Sequence, residues 1–338
     1  MIDPSALPRT PGKARGLQRL LSDDGFVLSL AVDHVHEFNE LLPPGAGYAE
    51  RAAAKAALVR AAAPATSAVL LDAHYGLGHG LLTGALPREV AVVASLEDGD
   101  YALDTPKDTR VREGWGVAVA RAAGVDAVKL LWWYRPELDT ARAARQAELL
   151  AGLVADCAEH DVLFVVEPIW HRLPEEDPRD RAWQEAHARG VVEGAVVAEE
   201  LGADVLKVEF PADLDLPGGE ELARRTLSAL DAAVHRPWVI LSAGVPFETF
   251  ARQLEIAGEH GCSGYIAGRS LWREVVRSSG AERKAAVALM LERLETLNAV
   301  CRASGRPVLP ALGAEAALAA LPEAWYRSSR RPLPAGGD

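Results

Sequence analysis

The sequence predicts an α/β protein built as one (β/α)8 TIM barrel, and three observations carry that reading. Eight short apolar runs recur along the chain, longer stretches with helical spacing separate them, and nearly every run ends in a residue able to do chemistry. Near-continuous apolar runs are what strands buried on both faces look like. Strand alternating with helix makes a parallel sheet, and eight such units in succession favour closure into a barrel.

The predicted strands are FVLSLAVD (26–33), SAVLLDA (67–73), VAVVASL (90–96), AVKLLWW (127–133), VLFVVEP (162–168), VLKVEFP (205–211), WVILSAG (238–244) and GYIAGRS (264–270). Stretches 49–64, 137–160, 186–202, 246–260 and 280–303 repeat apolar residues at the 3.6 period and carry charged faces, so they are predicted helices. A doubly wound open sheet would carry a Gly-rich fingerprint after its first strand, and AVDHVHEF has none. No linker divides the chain. Residues 1–321 read as a single domain, and 322–338, rich in Pro, Gly and Arg, read as a C-terminal tail.

Bulk properties narrow the function. The 338 residues carry a net charge of −12. Such an acidic surface disfavours nucleic acid and anionic membrane as partners but leaves room for a locally basic site. Cys157, Cys262 and Cys301 are too few and too scattered for a disulfide framework or a CxxC metal motif, which suits a reducing compartment. The N-terminal stretch has no apolar signal core, and no apolar run approaches the ~18 residues of a membrane span. A cytoplasmic protein is the expectation.

A barrel carries its active site at the carboxyl ends of its strands. Those ends offer Asp33 and Asp72, both expected to bind substrate, then Ser95 with Glu97, Lys129, Glu167, Lys207 with Glu209, Ser242 and Arg269. Only six of the 36 basic residues are lysine, and two of the six, Lys129 and Lys207, sit on apolar strands. An ammonium there costs several kcal/mol in order of magnitude unless it is paired or loses its proton. Loss of the proton makes a nucleophilic amine, and burial together with a second ammonium favours that loss. The alternative is a structural ion pair with Glu167 or Glu209. Glu167 ends a strand and could shuttle protons. LSAG and IAGRS on the last two strands, with helix starts at about 246 and 270, form the usual barrel phosphate site, to which Arg269 adds a guanidinium.

These residues resemble a known family. LAVDH, SAVLLDAHYGL, DAVKLLWWY, VVEPIW, GADVLKVEFP, PWVILSAGV and SGYIAGRSLW, over about 26 to 275, are similar to the class I tagatose-1,6-bisphosphate aldolases and the related sulfofructose-1-phosphate aldolases. The resemblance implies that Lys207 is the Schiff-base lysine and Glu167 the acid/base residue. It implies that Lys129 and Asp33 lie in the substrate pocket, and that Ser242, Gly244, Gly268 and Arg269 hold the phosphate of a dihydroxyacetone-phosphate half. No metal or cofactor is implied. Partners are then a phosphorylated ketose and dihydroxyacetone phosphate, in a chain expected to form a homo-oligomer. One departure stands out. The family commonly has Asp-Gln-Arg after strand 1, where the Arg helps to bind the distal anion, and here the stretch is Asp33-His34-Val35-His36. Either His34 or His36 substitutes, or the aldehyde is uncharged and meets aromatic residues such as Tyr75, Trp132, Trp133 and Trp170.

Two rival functions remain. His34-x-His36 with Lys129 is similar to the metal ligands of amidohydrolases, but strands 5 and 6 end in Glu167 and Lys207 where that chemistry needs histidines. A catalytically silent barrel that binds a sugar phosphate is the other.

Overall fold

A computed structural model of the chain describes residues 7–8, 10–99, 107–309, 312–321 and 323. Eight parallel strands close into a barrel in sequence order: β1 (Val27–Val32), β2 (Ala68–Leu71), β3 (Ala91–Ser95), β4 (Ala127–Trp133), β5 (Leu163–Ile169), β6 (Val205–Val208), β7 (Trp238–Leu241) and β8 (Gly264–Ala267). Seven of the eight lie wholly inside the predicted apolar runs, and β5 passes its run by one residue. The predicted tail over 322–338 lies outside the described residues except for residue 323.

Among the described residues twelve α-helices accompany the strands: α1 (Pro11–Leu20), α2 (His36–Asn39), α3 (Tyr48–Ala62), α4 (Leu77–Leu82), α5 (Val117–Ala122), α6 (Thr140–Glu159), α7 (Arg181–Leu201), α8 (Gly219–Ala233), α9 (Phe247–Glu259), α10 (Arg269–Arg277), α11 (Gly280–Ser304) and α12 (Ala314–Ala320). The five predicted stretches are α3, α6, α7, α9 and α11. Helix α7 begins five residues earlier than its spacing predicts, because the Asp180 side chain caps it by accepting from the Ala182 amide at 2.7 Å. Among the described residues no helix is long and apolar enough to cross a membrane.

Alternation along each strand divides the core into two layers. Val128, Leu130 and Trp132 of β4, with Phe164, Val166, Leu206, Val208 and Ile240, face outward and join the surrounding helices in one cluster. Ala127, Leu163, Val165, Val205 and Val239 face inward and form a second cluster with Leu17 and Leu20 of α1. Helix α1, absent from the predicted stretches, packs on β3, β4 and β5 and closes the floor of the barrel. The next inward residues toward the carboxyl ends are Lys129, Glu167 and Lys207. A dry apolar floor therefore supports a charged layer.

The seam between β1 and β8 depends on one glycine. Gly264 opens β8 at φ +136°, paired with Val27, and an added Cβ would stand 2.0 Å from the Val27 carbonyl oxygen. Gly264→Ala is expected to lower unfolding free energy by roughly 3 kcal/mol, from backbone strain and overpacking together, read as a drop in the urea midpoint. A variant with the parental midpoint would show that the seam can shift without cost.

Candidate active site

Register sets the charged layer. Leu131 of β4 pairs with Glu167 of β5, and Val165 pairs with Val205, which brings Glu167 level with Lys207 two residues on. The Glu167 carboxylate is divided between two ammonium groups. Its Oε1 lies 2.9 Å from Lys207 Nζ and its Oε2 2.6 Å from Lys129 Nζ. Lys129 also donates to Glu97 Oε1 at 2.5 Å and Asp33 Oδ2 at 3.1 Å. The second Glu97 oxygen accepts the Leu131 amide at 3.2 Å. All five side chains are at least nine-tenths buried.

Three carboxylates against two ammonium groups leave a buried excess of negative charge, which a carboxyl can relieve by keeping a proton. Burial pushes the Glu97 carboxyl up, with Asp33 and Glu167 adding to the rise while Lys129 opposes it. Asp33 goes the other way. Burial would raise it, but Lys129, His34 and Lys207 outweigh burial and hold it well below the usual carboxylate range. Glu97 is thus the member of the knot that takes a proton more readily than Asp33. His34 is pushed down to about 3 by burial and by the cationic Arg269, Lys207 and Lys129, against the pull of Asp33, so its imidazole is neutral at pH 7.

Above this layer opens a cavity of about 240 Å³ that Lys207, Glu167, Lys129 and Asp33 line together with His34 and Arg269. The ends of β7 and β8 form its far wall. Ala243 (φ 47°) and Gly244 (φ 79°) are both left-handed, a turn in which the non-glycine Ala243 is strained. Ser242 Oγ accepts the Gly268 amide at 3.4 Å. Helix α10 starts at Arg269, so its first-turn amides have no intrahelical acceptor and its positive end meets the cavity rim. The Arg269 guanidinium is only loosely held, 3.4 Å from Glu37 and 3.5 Å from the Ala243 carbonyl, and its buried Nε–H has no partner among the described residues. This is a place for an anion.

Most predicted site residues converge here: Lys207, Glu167, Lys129, Asp33 and Arg269 line the cavity, and Ser242, Gly244 and Gly268 shape the wall beside it. Asp72, predicted to bind substrate, has another partner. It forms an ion pair with the wholly buried Lys55, accepts the Tyr75 amide at 2.6 Å, and is not among the residues lining this cavity. Lys55 also donates to the carbonyls of Val32 (2.7 Å) and His34 (2.8 Å), which clamps the end of β1. Sequence reasoning passed over Lys55, although its place among Ala52, Ala56 and Val59 on the buried stripe of α3 was a legible signal. Glu209 does not pair with either strand lysine; it accepts the Trp170 amide at 2.8 Å and faces His187. Of the four aromatic residues only Trp133 lines the cavity; Trp170 instead stacks under Arg135 at 3.8 Å. His34 and His36 do not form one face, since His36 turns to Glu40 at 3.2 Å.

The family description "DeoC/LacD family aldolase" matches residues 30–274, the whole stretch that carries these side chains. The chain belongs to the DeoC/LacD aldolases. As a member it is an aldehyde-lyase. Tagatose 1,6-diphosphate aldolase 2 of Enterococcus faecalis is 26% identical to this aldolase over 320 residues, covering 88% of this chain and 96% of the relative. The tagatose 1,6-diphosphate aldolase of Listeria monocytogenes is 28% identical over 298 residues, covering 80% and 84%. Among solved structures, an archaeal fructose 1,6-bisphosphate aldolase superposes with a TM-score of 0.60 at 19% identity, over 85% of this chain and 99% of that one. Fructose-bisphosphate aldolase from Plasmodium falciparum gives 0.63 at 16% identity, over 89% and 98%. At such identities these two likenesses speak to the barrel fold.

The buried imidazole links this aldolase's stability to pH. Folded His34 resists a proton down to about pH 3, whereas the unfolded chain takes it up near 6.5. Between those values the unfolded state binds more protons, so stability falls as pH falls. At pH 5 the difference amounts to about 2 kcal/mol for this one group. His34→Gln is expected to remove that share of the decline in urea stability between pH 7 and pH 5. An unchanged decline would mean that His34 is protonated in the folded state.

Proposed function

We propose that this aldolase cleaves a phosphorylated ketose to dihydroxyacetone phosphate and an aldehyde through an iminium on Lys207. The observation that carries the reading is the Glu167 carboxylate shared by Lys207 and Lys129 at the base of a cavity whose far wall is built for an anion. The tagatose and fructose bisphosphates named for its relatives are phosphorylated ketoses, which agrees with that wall.

The chemistry follows from the distances. Lys207 must be neutral to attack, and Glu167 at 2.9 Å stands ready to receive its proton. The amine adds to the keto carbon, Glu167 returns its proton to the departing hydroxyl, and loss of that water gives the iminium and restores the carboxylate. Glu167 then takes the proton of the C4 hydroxyl, the C3–C4 bond breaks, and its electron pair moves into the iminium to form an enamine as the aldehyde departs. Protonation at C3 and hydrolysis release dihydroxyacetone phosphate and free Lys207. Lys129 stays beside Glu167 Oε2 and steadies whichever charge the carboxylate carries. Arg269, Ser242 and the amides at Gly244, Gly268 and the start of α10 hold the phosphate, so that the carbonyl meets Lys207 in one orientation.

Borohydride reduction in the presence of dihydroxyacetone phosphate is expected to attach a stable adduct to the peptide containing Lys207, and Lys207→Met to abolish it. An adduct on Lys129, or none on the parent protein, overturns the assignment. Glu167→Gln is expected to lower kcat by about 10²- to 10⁴-fold. Activity is expected to survive EDTA, and a loss restored by zinc would favour metal chemistry instead.

A further inference from the structure

One carboxylate in the catalytic cavity takes no part in the proton transfers proposed for Glu167 and Lys207. Asp33 and Glu167 are tied to Lys129 and Lys207, and Glu209 accepts the Trp170 amide. Glu37 lines the same cavity, and its ion pair among the described residues is with Arg269, the guanidinium assigned to the anion. That pair is loose, at 3.4 Å, with both side chains 28% exposed.

Packing holds Glu37 at that wall. Its neighbour Phe38 is fully buried against Trp272 of α10, with ring centroids 5.5 Å apart, and the Trp272 indole donates to the Ala31 carbonyl of β1 at 2.8 Å. Helix α2 is thus pinned to the helix that carries Arg269. The Glu37 side chain can swing, but its backbone cannot retreat. His36 does not neutralise it, since that ring turns to Glu40 at 3.2 Å. A second guanidinium stands beside the first. Arg273, one turn along α10, donates to the Gly244 carbonyl at 3.4 Å, and a Cβ added to Gly244 would lie 3.1 Å from Arg273 Nη2 and 3.3 Å from Arg269 Nε. An incoming anion therefore meets two cations with a built-in anion beside them.

We propose that Glu37 is a specificity-determining residue of this wall: it competes with every incoming anion for Arg269 and penalises a dianionic head more than a monoanionic one. The inference rests on the anion reading of Arg269 given under Proposed function. An anion that takes the Arg269 donors comes close to the Glu37 carboxylate, because the same guanidinium holds both. Solvent reaches this half-buried pair, so the repulsion is taken at water's dielectric. There, one pair of unit charges about 4 Å apart shifts an equilibrium by roughly fivefold. The repulsion grows with ligand charge, so a dianion pays roughly the square of that factor.

Calorimetric titration of the full chain at low ionic strength, where exposed charges are least screened, tests this. The probes are inorganic phosphate at about pH 8, mainly a dianion, and methanesulfonate, a fixed monoanion. Glu37→Gln, which keeps the shape and removes the charge, is expected to tighten methanesulfonate by about fivefold and phosphate by about twentyfold or more. Glu37→Asp, which keeps the charge, is expected to retain the parental ratio between the two probes. Arg269→Met is expected to abolish phosphate binding with either residue at position 37. If it does, equal gains for the two probes in Glu37→Gln, or no gain for phosphate, overturn the role of Glu37 and leave the anion wall standing. Phosphate binding that survives Arg269→Met overturns the anion reading of Arg269 and this inference with it. Neither probe carries a carbonyl, so the outcome does not depend on adduct formation at Lys207.

Discussion

One carboxylate held between two buried ammonium groups organises this barrel. Glu167 sits on β5 with Lys129 on β4 and Lys207 on β6, so three neighbouring strands each place one charge in the same layer. None of the three can be removed cheaply. Loss of one partner from a buried pair leaves an uncompensated charge, at a cost of about 3–5 kcal/mol. The same closeness that makes the group costly to break gives the proton a short path between Lys207 and Glu167. Structural pairing and the catalysis proposed for Lys207, which look like competing explanations for a lysine on an apolar strand, are compatible in one arrangement.

The rest of the site supports that layer from below and from the sides. The apolar floor of inward valines and leucines, sealed by α1, keeps water from beneath the charges and strengthens each of them. Lys55, paired with Asp72, holds the carbonyls at the end of β1 and so steadies the strand end that carries Asp33 to Lys129. Burial lowers the proton affinity of Lys55 while Asp72 opposes that shift. Across the cavity, Ala243 and Gly244 bend the chain so that the exit of β7 and the start of α10 face a common point. The barrel is thus asymmetric about Lys207, with guanidinium and amide donors at the ends of β7 and β8 and an aromatic, cationic recess at β4 and β5.

Much of this was legible in the chain. Parallel barrel strands are buried on both faces, so they appear as unbroken apolar runs, and a polar residue closing such a run marks the chemical end of the barrel. Lys207, Glu167, Lys129, Asp33 and Arg269, which line one cavity, were all picked out in that way, and the match to the aldolase family spans the same stretch. Lys55 was overlooked because helical periodicity is read from apolar residues and one lysine among alanines passes as a solvated position. Asp72 was placed with the substrate because it closes a strand run, a criterion that cannot distinguish a carboxylate facing the cavity from one turned to a helix behind the sheet.

The sequence by itself determined the order of strands and helices, the chemical side chains at the strand ends and the family to which they belong. These properties are written in local patterns, a period of two or of 3.6 residues and the residue at which a run stops. Only the tertiary structure decided which charges meet. Lys129 and Asp33 lie 96 positions apart in the chain, and Arg269 and Glu37 lie 232 apart. Closure of the barrel alone fixes those distances, and at contact distance in a dry interior the choice of partner sets each group's charge. That is why the lysines could be picked out from the sequence, while the sharing of Glu167 between them could not.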